Sequence, residues 1–166
     1  LSNTKLNKGA RVVLHKVLKP ELFGIAKINS KNKIIKIKEK PKKFFSDLAI
    51  TGLYFFDNNV VNYAKKLKPS KRGEVEIVDL LNLYKSKNKL SADLIGRGGA
   101  WLDTGSMDDF YKTSNFVSAI ENRQGLKIAC LEEIAFNNKW INKEKIKSSI
   151  KFYGNCDYSK YLTKLI

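Results

Sequence analysis

Histidine is nearly missing from this chain. Among its 166 residues His15 stands alone, and only Cys130 and Cys156 carry thiols. That removes the usual grounds for a zinc site or a Cys/His nucleophile, and two cysteines so far apart suggest no disulfide framework. Reduced thiols are expected, and with them a cytoplasmic protein. His15 falls in an apolar-alternating stretch, where a structural or surface role outweighs acid–base work. No run of about 18 apolar residues occurs, so no membrane span and no membrane partner are expected. No charged-then-apolar segment opens the chain, and no glycine-rich phosphate loop occurs anywhere in it.

Acidic residues are also scarce. Sixteen of them face 32 basic ones, for a formal charge of +16. Such a balance suits a nucleic-acid or anionic-surface binder, or a lysine-rich solvated surface. The arginines are only Arg11, Arg72, Arg97 and Arg123. Phosphate clamps and base readers favour the rigid guanidinium fork. The basic residues are scattered rather than gathered into a tail. The solvated surface is therefore the favoured reading, and nucleic acid is not the expected partner. A non-enzymatic basic module that binds nucleic acid or another anionic partner stands as the alternative to an enzyme.

What the chain does have is a hydrophobic share of 43%, enough for one core or part of a larger domain. Short strands are expected at 11–15, 22–28, 34–38, 49–56 and 91–95. In the third, Ile35 and Ile37 alternate with Lys36 and Lys38, the period of a half-buried strand. "NSKNK" between the second and third is hairpin chemistry. Gly52 inside the fourth marks a bulge or a close approach. The period then becomes helical. Helices are expected near 58–67, with Asp57 and Asn58 as cap candidates, near 75–86, with Ile77, Leu80, Leu81 and Tyr84 on one face, and near 106–122. Ser106 and Asp109 have capping-box spacing. Short helices follow from about residue 130. The order implies an α/β or α+β arrangement.

Two motifs could carry chemistry. "KEKP" ends the third strand, and Pro41 stops the ladder there. That leaves Glu39 and Lys40 at a strand's carboxyl end, where open α/β sheets bind ligands. Glutamate can accept from sugar hydroxyls and lysine can neutralise a phosphate; from these letters alone, a solvent-facing charged pair in a lysine-rich hairpin is the favoured reading. In "GRGGAWLDTG", Trp101 and Leu102 look like a buried strand running out at Asp103. An acid there suits a metal ligand or an ordinary turn cap.

Taken together, "FGIAKINSKNKIIKIKEKP", "AITGLYFFDNNVV", "LKPSKRGEVEIVDLLNLY", "GRGGAWLDTGSMDDFYKTSNFVSAIENRQGLKIACLEEIAF" and "YLTKLI" resemble the glucose-1-phosphate thymidylyltransferase family of sugar nucleotidyltransferases. The likeness runs from about residue 9 to the end. It implies an α/β fold, the C-terminal part of a Rossmann-like mixed-sheet nucleotidyltransferase with a helical tail. Residues 1–129 would be the sugar-phosphate-binding part and 130–166 the tail. The implied reaction joins dTTP and glucose 1-phosphate to give dTDP-glucose and pyrophosphate, with Mg²⁺ as cofactor, in dTDP-rhamnose and cell-surface polysaccharide synthesis. Relatives suggest a homo-oligomer, a tetramer, when full length. The family opens with a glycine-rich G-G-x-G-T-R-L-x-P loop and a first metal-binding Asp. Neither occurs here, so the expectation is a fragment inactive by itself.

The resemblance also implies roles. Gly24 matches the glycine whose backbone approaches the sugar. Glu39 matches the carboxylate that takes sugar hydroxyls, and Lys40 the lysine on the sugar phosphate. Ile50 occupies the family's Val position beside the glucose. Asp103 matches the second magnesium ligand, Trp101 would wall the site, and Arg72 would lie near the cleft. Arg97 belongs with a possible effector nucleotide site. Gly99 stands where many relatives have Tyr, and Asn137 where many have Arg, so feedback regulation is open.

Overall fold

The computed structural model describes residues 8–70 and 73–166, which fall into two compact units, Leu1–Trp101 and Leu102–Ile166. The first is built on a five-stranded mixed sheet: β1 (Ala10–Lys16), β2 (Gly24–Ile28), β3 (Ile34–Glu39), β4 (Leu48–Phe56) and β5 (Leu90–Leu94), in the order β3-β2-β4-β1-β5. Only β1 and β5 run parallel. The expected hairpin forms. Gly24 faces Glu39 across it, and the Asn29 side chain accepts from the N–H groups of Lys31 and Lys33, each at 3.0 Å. β2 starts later than expected, because Pro20–Leu22 make a 3-10 turn whose first residue already has a helical φ.

Side chains of one parity share one face. Val12 and Leu14 of β1, Ala26 of β2, Ile37 of β3, Leu48 and Ile50 of β4 and Ala92 of β5 form the core there with helix α2 (Ile77–Ser86). The helix buries Val78, Leu80, Leu81 and Tyr84. Ile77, expected on that face, is 38% exposed instead, because the buried stripe turns one residue further round. The preceding helix α1 is only Val60–Ala64. It stops short of the expected residue 67 as the chain approaches Pro69, which disfavours helical backbone just before it.

Gly52 makes the bulge. Residues 51–53 of β4 oppose Val13 alone, Gly52 takes φ 84°, and the Thr51 hydroxyl donates to Val13 O at 3.0 Å. Open space surrounds Gly52, so bulge geometry rather than close approach explains the glycine.

Asp57 does more than the capping expected of it. Asn59 is the N-cap of α1 and makes no side-chain cap bond. The buried Asp57 carboxylate accepts from Gly9 N–H (2.7 Å), the Tyr84 hydroxyl (2.8 Å), Asn59 N–H (3.0 Å) and the Asn59 amide (3.1 Å). It thereby ties the start of β1, the β4–α1 turn and α2 together. The Gly9 N–H does most to hold its pKa down to about 2, against burial, with Tyr84 and Asn59 assisting.

The expected strand at Trp101–Leu102 is absent. Residues 95–104 are loop and turn, and Asp103 is exposed rather than half shielded. Gly96, Gly98 and Gly99 explain this: they bring no side chains to a ladder and lose the most entropy on ordering.

The second unit is helical: α3 (Met107–Gln124), α4 (Leu131–Asn137), α5 (Lys143–Tyr153) and α6 (Asp157–Thr163). The capping box works as spaced, since Ser106 Oγ accepts from Asp109 N–H at 3.1 Å and donates to its carboxylate at 2.6 Å. The core is Cys130, Ile146, Tyr161 and Leu162. Tyr153 (3.0 Å) and Tyr158 (2.5 Å) donate to Glu132, and Tyr161 donates to Glu133 at 2.6 Å. Both cysteines are free thiols.

Candidate functional site

The site grows from one row of the sheet. Glu39 of β3 and Gly24 of β2 are paired, and Ile50 of β4 follows in the next strand, itself opposite Leu14 of β1. Gly24 is needed for space. A Cβ there would sit 2.9 Å from Glu39 Oε2, 3.6 Å from Val78 Cγ2 and 3.8 Å from Ile50 Cδ1. The glutamate carboxylate thus lies over the glycine backbone instead of pointing along the sheet edge. Removal of a side chain at position 24 is what lets a charged group and a ligand approach the strand.

Adjacent strand residues point to opposite faces, which would separate Glu39 from Lys40. The chain avoids this by ending β3 at Glu39. Lys40 adopts φ 40°, its N–H donates to Phe23 O at 3.0 Å, and the buried Pro41 carries the chain away. Glu39 and Lys40 consequently line one groove of about 790 Å³, with Ser70, Glu76, Val78 and Asp79 among its other walls.

Three polar residues of this wall, Glu76, Asp79 and Asn82, were missed by sequence reasoning. They recur at steps of three around α2, the helical-face spacing that identifies a polar stripe beside an apolar one. Ser70 Oγ donates to Glu76 Oε1 at 3.0 Å, which orients that carboxylate. Burial first, and the negative charge of Glu39 second, push the Tyr54 hydroxyl pKa up.

Gly24, Glu39 and Ile50 are thus brought together, with Lys40 in the same groove as Glu39. Trp101 is placed differently. Its ring packs edge-on against Phe23 (centroids 5.1 Å) and lies 6.3 Å from His15. His15 follows Leu14 in β1, so it points to the face opposite Ile50. Trp101 is not among the groove's lining residues. Arg97 is exposed in the turn after β5. Arg72 lies outside the described residues.

Asp103 belongs to the second unit. Its Oδ2 is 3.2 Å from where a Gly105 Cβ would stand. Among the described residues no backbone N–H from Gly105 or Ser106 donates to it; Ser106 Oγ caps α3 instead. Among the described residues, too, no group of three His, Cys, Asp or Glu gathers to hold a metal ion. Asp103 offers hard oxygen of the kind magnesium prefers, but one carboxylate is not a ligand set. The described residues do not form a metal centre by themselves.

A groove with several carboxylates, a serine hydroxyl and two lysines, floored by Ile37 and Val78, fits a polyhydroxylated ligand bearing a phosphate. The sole histidine is packed on Trp101 rather than beside a nucleophile.

The sequence profile of the nucleotidyl transferase family matches residues 2–120. A glucose-1-phosphate thymidylyltransferase of Neisseria meningitidis is 44% identical over 158 residues, 95% of this chain and 55% of that protein. One from Mycolicibacterium smegmatis is 37% identical over the same shares. Among solved structures, a Bacillus anthracis protein assigned as a glucose-1-phosphate thymidylyltransferase, crystallised with sucrose, gives a TM-score of 0.59 at 41% identity, covering 69% of this chain and 45% of that one. A UDP-glucose pyrophosphorylase complexed with UDP-glucose gives 0.57 at 23% identity over 64% and 43% of the two chains, a likeness of fold. The chain spans about half the length of the curated relatives it matches.

Proposed function

The chain belongs to the nucleotidyl transferase family and has an α/β nucleotidyltransferase fold, and from that premise we propose that it supplies the sugar-phosphate side of a glucose-1-phosphate thymidylyltransferase. The observation that carries this reading is the approach of Glu39 Oε2 over Gly24, in a groove that Lys40 also lines. Glu39 accepts from sugar hydroxyls, Lys40 neutralises the sugar phosphate, and Ile50 backs the glucose. Residues 1–129 are the sugar-phosphate part in this scheme and 130–166 the helical tail.

In the reaction a phosphate oxygen of glucose 1-phosphate attacks the α-phosphorus of dTTP. The new O–P bond forms as the bond to the β-phosphate breaks, and pyrophosphate leaves. No protein nucleophile is required, so the chain contributes alignment and charge neutralisation. Mg²⁺ is the proposed cofactor, and when bound it neutralises charge on the phosphates. Asp103 is the carboxylate this chain would offer it, alongside ligands from outside the described residues. Arg72 and Trp101 are proposed to border the cleft, and Arg97 to serve an effector nucleotide. A cytoplasmic homo-oligomer, a tetramer, that feeds dTDP-rhamnose and polysaccharide synthesis is the setting the proposal implies.

The test is binding of glucose 1-phosphate to this chain, followed by NMR shifts, and pyrophosphate release once a segment with the glycine-rich loop is supplied. Glu39→Ala and Lys40→Ala are each expected to weaken sugar-phosphate use by about 1–3 kcal/mol, the cost of losing hydrogen bonds to a charged group. Unchanged binding and kinetics in both variants would remove the assignment.

A further inference from the structure

Lys40 stands in backbone geometry that neither it nor its neighbour favours. Its φ of 40° lies in the left-handed region, which a side-chain-bearing residue enters at a cost. Pro41 follows, and a proline restricts the residue before it to extended backbone. Such a conformation persists only where its surroundings hold it. Here the hold comes from Phe23. The register that sets Gly24 opposite Glu39 brings Phe23 opposite Lys40, but only half of that rung forms. Lys40 N–H donates to Phe23 O at 3.0 Å, while Phe23 N–H turns back to Pro20 O at 3.2 Å. The half-rung keeps Lys40 attached to β2 and frees it from the pleat that would point it away from Glu39.

Phe23 is itself held from the other side of the sheet. Its backbone is extended, with φ −127° and ψ 166°, so its ring takes the face opposite the one where Glu39 lies over Gly24. There Trp101 meets it edge-on, 5.1 Å between ring centres, and lies 6.3 Å from His15 of β1. Ile25, Ala49 and His15 form one row across β2, β4 and β1. Ile25 and Ala49 are fully buried, so the anchor rests on packed sheet. An edge-to-face aromatic pair also has a preferred geometry, which fixes Phe23 in orientation as well as in place. We infer that Phe23, clamped by Trp101, is a positioning residue: its carbonyl fixes the Lys40 backbone so that the Lys40 ammonium and the Glu39 carboxylate serve one ligand. The inference rests on the reading that Lys40 meets the sugar phosphate. Phe23 touches no ligand in it and acts through Lys40.

The test has two arms, both on the 166-residue chain. Without ligand, amide hydrogen exchange followed by NMR reads the clamp. Phe23→Ala should speed exchange at Lys40 by about tenfold or more, while Ile25 and Lys38, two positions along the hairpin, keep their protection. Phe23→Tyr keeps the ring and should restore slow exchange. With glucose 1-phosphate, Phe23→Ala should weaken binding by about fivefold or more, and Lys40→Ala should cost little further in the Phe23→Ala background. A ring that served stability alone would leave the two changes additive. Unchanged exchange at Lys40 in Phe23→Ala, or full additivity with Lys40→Ala, would overturn the inference. Faster exchange together with no glucose 1-phosphate binding by the wild type would refute the sugar-phosphate reading and keep the clamp. Should Phe23→Ala not fold, Trp101→Leu removes the partner of the ring instead and should speed exchange at Lys40 in the same way; unchanged exchange there overturns the inference equally.

Discussion

Replacing Asp57 with alanine should destabilise the sheet-bearing unit by about 3–5 kcal/mol, a large fraction of the stability of an ordinary domain. The variant strands several donors at once. Gly9 N–H, the Tyr84 hydroxyl and the Asn59 groups all aim at one buried carboxylate, and each donor left unsatisfied costs about 1–3 kcal/mol. The losses are not additive, because freed donors relax towards water or other acceptors. Tyr84→Phe removes one of these bonds and should cost clearly less. The pH dependence has a definite sign. The folded pKa, about 2, is below the ordinary 3.8, so the stabilisation is fully present above about pH 4. It is lost as pH falls from there through about 2. Asp57→Ala should lack that step. Denaturant melts followed by circular dichroism across this range test both statements. A cost under about 1 kcal/mol at neutral pH would show that the network does not hold the unit together.

Asp103→Asn carries the largest expected effect on activity. If Asp103 holds Mg²⁺ as proposed, turnover of a full-length enzyme carrying this change should fall by about 100-fold or more, because the ligand loses its charge and the ion carries several kcal/mol of charge stabilisation. Asparagine keeps the size and hydrogen-bonding capacity of the side chain. Asp103 is exposed and makes no hydrogen bond to Gly105 or Ser106 among the described residues, so stability should be unchanged. Partial rescue at higher Mg²⁺ would separate a ligand role from a positioning one. Wild-type turnover in Asp103→Asn would return the residue to the turn reading.

Much of the local structure was legible in the letters, for identifiable reasons. The Asn29 turn and the Ser106–Asp109 box depend on neighbours a few residues apart, and each appears in the fold as spaced. The break at Lys40–Pro41 was legible for the same reason. The alternation at Ile35–Lys38 marked a strand, but a register shift at Ile35 leaves Ile34 and Ile37 buried and Ile35 51% exposed. The errors sit where short-range signals ran out. Trp101 and Leu102 look like a strand, but a strand exists only if a partner offers its edge, and the glycines before them bring nothing to pair. Ile77 and Val78 are equally apolar, and only the packing of α2 on the sheet selects Val78.

By itself, then, the sequence determined the strands and helices that neighbouring residues enforce, the family through ordered motifs, and the identities of Gly24, Glu39, Lys40 and Asp103 as candidates. The tertiary structure decided which of these meet. Gly24 and Glu39 are 15 positions apart and touch because of hairpin register. Glu76, Asp79 and Asn82 face them because α2 packs its apolar stripe on the same side of the sheet. Asp57 became a hub because Gly9 and Tyr84, 48 and 27 positions away, converge on it. Each of these contacts joins residues far apart along the chain. The free energy that selects them comes from burial and hydrogen bonding in the assembled sheet, and no local pattern of side chains encodes it.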